Sequence, residues 1–307
     1  MPDRLVVTVP TSSFVDDLGP VPDGVDVLVW DMSGPAPRAE LDIVVPPYMS
    51  KGKTLPRLQE VRTRLVQGQS IGYDGIAEQL PAGVVFANAS SVHEASTAEL
   101  ALGLMLASQR HLDEFARAQP DGRWAPVFAD SLADRRVLLL GYGGVGKAVA
   151  ARLAPFEVEL TVVASRARDE GGVRVHGIDE LPDLLPHADI LVLTLPGGEQ
   201  TRRIVDDSVL AALPDGALVV NVGRGSLVDL DALADHARRG RIRAALDVTD
   251  PEPLPSEHPL WRLPGVIISP HVGGASSAMR PRMARLLRAQ IDRMLRGAPP
   301  LNVVIPR

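Results

Sequence analysis

The chain has 307 residues, 27 glycines, no cysteine and a formal net charge of −6. That length can bury a large core and suggests two domains. Without cysteine there can be no disulfide, zinc–thiolate site or thiol nucleophile, and the negative balance gives no electrostatic case for nucleic acid or an anionic membrane as partners.

Leu5–Val9, Val25–Trp30 and Leu41–Val45 read as short buried strands, Arg62–Val66 as a candidate fourth and Lys53–Val61 as a helix. Pro- and Gly-rich turns separate them, the pattern of a small α/β unit ending near Val84–Ala87. The stretch from Gln67 to Asp74 is rich in small residues and follows a strand. It is either a backbone cradle for an anion or a plain loop, and periodicity alone favours the loop. From Glu94 to about Ala118 a long helix is expected, with Ser96 and Glu99 as its capping pair and Pro120 to Trp124 ending it. A βαβ rhythm then sets in. Val137–Leu140, Leu160–Ala164, Ile190–Leu195, Ala217–Val222, Ala244–Val248 and Val266–Ile268 read as strands, with helices at Lys147–Leu153, Asp206–Ala212 and Asp229–Arg239. Continuous Val/Leu/Ile runs indicate strands buried on both faces, hence a parallel sheet covered by helices. Ser277–Arg296 reads as a second long, amphipathic helix with its arginines on a solvated face. It leads back to the first unit, where Leu301–Ile305 adds a last strand. No apolar run approaches the ~20 residues of a membrane span, and the N-terminus has no basic segment followed by an apolar one, so a cytoplasmic location is expected.

The glycine-rich stretch after Val137–Leu140 is Gly141-Tyr142-Gly143-Gly144-Val145-Gly146. Gly141 permits a tight turn, Gly143 leaves room for a pyrophosphate, and Gly146 lets the following helix pack close to the sheet. The open N–H groups of that helix face the phosphates. Between strand and helix the motif reads as a dinucleotide site; the alternative is a tight turn with no ligand. NAD-selective folds place Asp or Glu about 20 residues further on, but here Ser165-Arg166-Ala167-Arg168 stands, with Asp169 and Glu170 too late. A hydroxyl followed by two arginines suits a 2′-phosphate, so NADP(H) is favoured and NAD(H) remains open. Lysine occurs only at Lys51, Lys53 and Lys147, so arginine is the default cation and no single one stands out by type.

Three more features follow strands, where open α/β sheets bind ligands. In Asn221-Val222-Gly223-Arg224-Gly225 an arginine emerges between glycines, and its planar fork matches a carboxylate; a turn arginine is the plain alternative. In Leu246-Asp247-Val248-Thr249-Asp250-Pro251-Glu252-Pro253, Glu252 lies in a rigid segment between prolines. In Pro270-His271-Val272-Gly273-Gly274 a histidine follows a buried strand, unlike His111, His187 or His236. A nearby carboxylate would hold it as an acid near neutral pH.

Together these segments resemble the D-isomer-specific 2-hydroxyacid dehydrogenases in motif, order and separation, over nearly the whole chain and least before Ser70. Thr97-Ala98-Glu99 resembles that family's connector helix. The resemblance implies hydride transfer between a nicotinamide cofactor and a small 2-oxo or 2-hydroxy acid, without a metal. It implies that Arg224 binds the substrate carboxylate and polarises the carbonyl. His271 would be the acid for reduction and the base for oxidation, and Glu252 would hydrogen-bond it. Asp247 would orient the nicotinamide carboxamide. Further cofactor contacts are implied at Gly141, Gly143, Gly144, Val145, Gly146, Ser165, Arg166, Thr194, Pro196, Val222 and Gly273. Ser70, Ile71 and Gly72 would offer N–H groups to the carboxylate, which revives the cradle reading. Tyr48, with Pro46, Pro47, Met49 and Trp124, would shape the side-chain pocket. A homodimer through the cofactor domain is implied, with Glu94–Ala118 as its contact.

The expected fold is α/β with two Rossmann-like domains linked by long helices: a flavodoxin-like substrate domain, 1–98 completed by 280–307, and a doubly wound dinucleotide-binding domain, 99–279. Two alternatives share this architecture, a formate- or phosphite-type dehydrogenase and a cofactor-sensing corepressor-like protein.

Overall fold

The computed structural model describes residues 4–50 and 52–306. The chain begins with β1 (Leu5–Val9), α1 (Ser12–Leu18), β2 (Val25–Val29), β3 (Glu40–Val44), β4 (Arg62–Gln67) and β5 (Val85–Ala87). Next come α2 (Glu94–Gln109), α3 (Leu112–Ala118), β6 (Arg136–Leu140), α4 (Gly144–Leu153), β7 (Glu159–Val163), β8 (Arg168–Glu170) and β9 (Val173–His176). Then come α5 (Leu181–Leu184), β10 (Ile190–Leu193), α6 (Asp207–Ala212), β11 (Ala217–Asn221), α7 (Leu230–Arg238), β12 (Ile242–Leu246) and β13 (Val266–Ile268). The last elements are α8 (Met279–Leu295) and β14 (Val303–Ile305). Two compact units result: one holds the residues up to His93 together with those from Ser276 on, the other spans Glu94–Ala275.

The first unit is a six-stranded sheet ordered β14-β5-β4-β3-β1-β2, parallel except where β14 meets β5. Its parallel part has the 2-1-3-4-5 order of flavodoxin-like folds. Side chains alternate across the sheet, as period-2 geometry requires. Val7, Ile43 and Leu65 face one way, packing with Met283, Leu287 and Ile291 of α8. Val6, Val44 and Val66 face the other, packing with Trp30, Leu55 and Leu58. A buried amide pair closes the unit: Gln290 Nε2 donates to Gln67 Oε1 at 2.7 Å and to Leu301 O at 3.0 Å.

The second unit is an eight-stranded sheet ordered β13-β12-β11-β10-β6-β7-β9-β8, in which only the β8 edge is antiparallel. From β9 to β12 it has the 3-2-1-4-5-6 order of dinucleotide folds. The strand register aligns the tips. Leu140 pairs with Val163 and Leu193, Leu193 with Asn221, Asn221 with Leu246, and Leu246 with Ile268. Six parallel strands therefore end in one row, and each loop leaving them starts from the same edge.

Several expectations need correction. Most strand ends move by one or two residues. Lys53–Val61 is a 3₁₀ turn over Leu55–Glu60 with Pro56 at its start, not an α-helix. The stretch Glu94–Ala118 is two helices. Arg110 N–H still bonds Leu106 O, but His111 takes φ +54° and its ring meets Glu114 at 3.1 Å. Ser96 does not cap α2: the helix starts at Glu94, so Ser96 sits buried in its first turn. The hairpin of β8 and β9 was not foreseen, although Gly171-Gly172, both with positive φ, is a hairpin-turn signal. The exposed arginines in and just past α8 are not merely solvated: Arg280 bonds Asp17 at 2.5 Å, Arg288 bonds Leu18 O, and Arg296, the residue after the helix, bonds Asp292 at 2.8 Å.

Candidate functional site

The glycine loop leaves β6 beside β10, where the strand order of the second sheet reverses. Gly141 has φ +113°, and a Cβ there would lie 2.7 Å from Thr194 Oγ1. Thr194 in turn donates to Gly141 O at 3.0 Å, fixing the loop to the β10 tip. A Cβ on Gly146 would stand 2.1 Å from Gly141 O, so this residue is required for the helix to close against the loop. Gly143 is different: a Cβ there meets nothing within 4 Å. That position, beside Gly144 and Val145 at the N-terminus of α4, is open space. Gly143 is the N-cap and supplies no side chain, leaving the first N–H groups of α4 for an anion. The residues present therefore fit the pyrophosphate of a dinucleotide. Pro196 and the buried Val222 lie just past the neighbouring strand tips.

Past β7 come Ser165 and Arg166, both exposed. Glu170 lies in β8 and is already engaged. It accepts from Lys147 Nζ at 2.5 Å and from Arg168 Nη2 at 2.8 Å and Nε at 3.0 Å. The Lys147 ammonium, then the Arg168 guanidinium, hold its carboxyl below the usual carboxylate range. Lys147 also lies 5.7 Å from the Tyr142 ring centroid, joining helix, glycine loop and hairpin. Among the described residues, no carboxylate pairs with Arg166.

At the other end of the strand row, Asn221 shapes the arginine loop. Its Oδ1 accepts from Gly223 N at 3.0 Å and its Nδ2 donates to Arg224 O at 2.8 Å. Arg224 is half-buried, and its Nη1 donates to Gly223 O at 2.7 Å. Gly225 lies flush on the next loop, where a Cβ would fall 2.0 Å from the Thr249 carbonyl. The Arg224 loop is thus seated on the segment that carries Glu252. Glu252 Oε1 meets His271 Nδ1 at 2.5 Å, and both side chains are about one-third exposed (30% and 32%).

His271 is held by Asp247. The Asp247 carbonyl accepts from His271 N at 2.8 Å. Its carboxylate accepts from Ser269 Oγ at 2.6 Å, Val272 N at 2.9 Å and Gly273 N at 2.9 Å. The Asp247 side chain is buried, and these bonds fold the β13 tip so that His271 can take φ +53°. The geometry thus gives Asp247 a bracing task that its spacing does not reveal, and Ser269 joins it.

In the first unit, Ser70, Ile71 and Gly72 come after β4. Gln69 is buried and donates to Pro46 O at 2.8 Å, tying this loop to the one carrying Tyr48. The Tyr48 ring stacks on His93 with centroids 5.8 Å apart. Sequence reading missed His93, Gln69 and Asn88 because they act on backbone carbonyls, which leave no motif.

The family model for the D-isomer specific 2-hydroxyacid dehydrogenase NAD binding domain matches residues 102–273. A glyoxylate/hydroxypyruvate reductase B of Pectobacterium carotovorum subsp. carotovorum is 33% identical over 261 residues, covering 82% of this chain and 80% of that protein. The structure of a D-isomer specific 2-hydroxyacid dehydrogenase from Xanthobacter autotrophicus Py2, in complex with NADPH and MES, superposes with TM-score 0.83 at 30% identity, covering 99% of each chain. An NADPH-dependent glyoxylate/hydroxypyruvate reductase from Sinorhizobium meliloti, in complex with NADP and malonate, superposes with TM-score 0.77 at 26% identity, covering 98% of this chain and 97% of that one. Among the described residues, no helix is long and apolar enough to cross a membrane.

Asp247→Ala removes the acceptor for three donors. Urea unfolding is expected to show a loss of roughly 2–4 kcal/mol, more than one ordinary hydrogen bond contributes.

Proposed function

The chain belongs to the D-isomer specific 2-hydroxyacid dehydrogenases, and from that premise we propose that it is a 2-oxoacid reductase running on His271, Glu252 and Arg224. The observation that carries this reading is the 2.5 Å contact between His271 Nδ1 and Glu252. A carboxylate on Nδ1 fixes the proton there and leaves Nε2 as the nitrogen that exchanges protons outward. When bound, the nicotinamide supplies or accepts the hydride. Reduction turns the substrate carbonyl oxygen into an alkoxide, which needs a proton and a nearby positive charge. His271 gives the proton from Nε2, and Glu252 stabilises the imidazolium before transfer. Oxidation of the alcohol runs the same path backwards. Arg224 holds the substrate carboxylate and its charge polarises the carbonyl. The N–H groups of Ser70, Ile71 and Gly72 receive the same carboxylate, and Tyr48 borders the pocket for the remainder of the substrate.

The cofactor would be held at Gly141, Gly143, Gly144, Val145 and Gly146, with Thr194, Pro196, Val222, Asp247 and Gly273 around the nicotinamide side. For Asp247 to orient a carboxamide, its carboxylate must accept one bond beyond the three it already has, which is within a carboxylate's capacity. Ser165 and Arg166 favour NADP(H), because no acid stands at the end of β7 and, of the two that follow in β8, Asp169 and Glu170, the latter is engaged by Lys147 and Arg168.

We also read the protein as a cytoplasmic homodimer. Helix α2 buries Ala98, Ala101, Leu104 and Met105 within its own unit, whereas Leu112 and Phe115 of α3 are exposed, so Glu94–Ala118 offers apolar surface for that contact toward its C-terminal end. Trp124 and Phe128 are fully exposed, at 95% and 108% of their reference areas, and such aromatic surface on one segment suits a second copy of this chain.

His271→Ala is expected to lower kcat for glyoxylate reduction about 10²–10⁴-fold while leaving cofactor binding, measured by fluorescence titration, nearly unchanged. Wild-type rates in that variant would refute the assignment; tight cofactor binding with no turnover of any 2-oxo acid by the wild type would mark a cofactor-sensing protein instead. Steady-state kcat/KM should be higher with NADPH than with NADH, and Arg166→Ala should narrow that difference. Light scattering should give a dimer mass for the wild type and a monomer mass for Phe128→Glu.

A further inference from the structure

The carboxylate cradle consists of N–H groups, and the first unit contains a device that aims them. A peptide unit is planar, with its C=O and N–H pointing opposite ways. Fixing the carbonyl of one residue therefore fixes the N–H of the next. Three successive carbonyls are fixed here. Gln69 O accepts from His93 Nε2 at 2.6 Å, Ser70 O from Ala89 N at 2.9 Å, and Ile71 O from Asn88 Nδ2 at 2.7 Å. These carbonyls share their peptide planes with the N–H groups of Ser70, Ile71 and Gly72. Among the described residues, none of those three N–H groups meets an acceptor.

The donors are themselves built in. His93 is only 4% exposed and its ring lies against Tyr48 at an interplanar angle of 16°. Asn88 donates its N–H to Asn302 O at 3.0 Å, accepts from Ser90 N at 3.2 Å through Oδ1, and its carbonyl accepts from Gln67 Nε2 at 2.9 Å. A carbonyl can only accept, so His93 carries a proton on Nε2 whatever the state of Nδ1. A loop held through three consecutive carbonyls cannot turn its amides elsewhere.

We propose that His93 is a positioning residue for the substrate carboxylate: through the Gln69 carbonyl it aims the Ser70 N–H at the carboxylate of a small 2-oxo acid, and Asn88 does the same for the Gly72 N–H. This rests on the reading of Ser70–Gly72 as the carboxylate cradle. In the proposed role, His93 acts through the Gln69 carbonyl. By stacking on Tyr48 it also sets the width of the space beside the cradle, so one side chain couples carboxylate recognition to side-chain selection.

Paired variants separate the two features of His93. His93→Phe keeps a ring against Tyr48 and removes the donor; His93→Gln keeps an N–H donor and removes the ring. Ile71→Pro deletes one cradle N–H outright. His93→Phe is expected to raise KM for glyoxylate about tenfold and lower the thermal midpoint modestly, with kcat and KM for the cofactor near wild type, and His93→Gln to recover most of the loss. If Ile71→Pro raises KM for glyoxylate and His93→Phe does not, the positioning role is overturned while the cradle stands. If neither variant raises it, the cradle reading falls and the positioning role with it. Should His93→Phe fail to fold, Asn88→Ala reads the same KM change from the Gly72 end, with the same two outcomes deciding.

Discussion

The proposed chemistry of the second unit depends on the hydrogen bond between Glu252 and His271. The two residues lie in loops that leave neighbouring strands, and the bond exists because those strands end level with each other. Leu246 pairs with Ile268, so the loop that reaches Glu252 and the loop that reaches His271 start side by side. Asp247 then accepts from the β13 loop at its carbonyl and both carboxylate oxygens, which turns His271 back toward Glu252. A carboxylate braced by backbone N–H groups holds its partners more rigidly than a side-chain pair on a surface would. The imidazole is thereby held in one orientation by protein groups alone, as the proposed role of a positioned acid requires.

Close backbone approach supplies the second constraint. Gly225 lets the Arg224 loop lie on the Thr249 backbone, and Gly146 lets α4 press on the glycine loop. Any side chain at either place would push apart the elements packed there. Gly143 shows the complementary case, since it packs against nothing and leaves a space instead. The same residue type thus does opposite work: two glycines bring protein to protein, and one leaves open space at the N-terminus of α4. The first unit uses hydrogen bonds for the same end, with buried Gln67, Gln69, Asn88 and His93 tying down a loop through backbone carbonyls.

Much of this was legible in the sequence because strands buried on both faces read as unbroken apolar runs. Their ends mark where loops begin, so Arg224, Glu252 and His271 could be placed at strand tips from spacing alone. The hairpin of β8 and β9 was not legible by that route: Arg168-Asp169-Glu170 is charged and lies at a sheet edge, where burial leaves no trace. The break at His111 was hidden for another reason, since helix propensity says nothing about a single residue turning left-handed between two helical segments. The engagement of Asp247 escaped because its partners are mostly backbone N–H groups, which every residue possesses. His93 was passed over on the same ground, as its partner is a carbonyl. Sequence patterns report side-chain burial and motif spacing; they do not report which backbone groups a side chain holds.

The most direct measurement is a crystal structure of the protein with NADP⁺ and oxamate, a 2-oxo acid mimic that cannot be reduced. The account predicts His271 Nε2 within hydrogen-bonding distance of the oxamate carbonyl oxygen, Nδ1 still on Glu252, and the Arg224 guanidinium on the carboxylate. Oxamate bound with its carbonyl turned away from His271, or with Arg224 bonded only to protein, would contradict it.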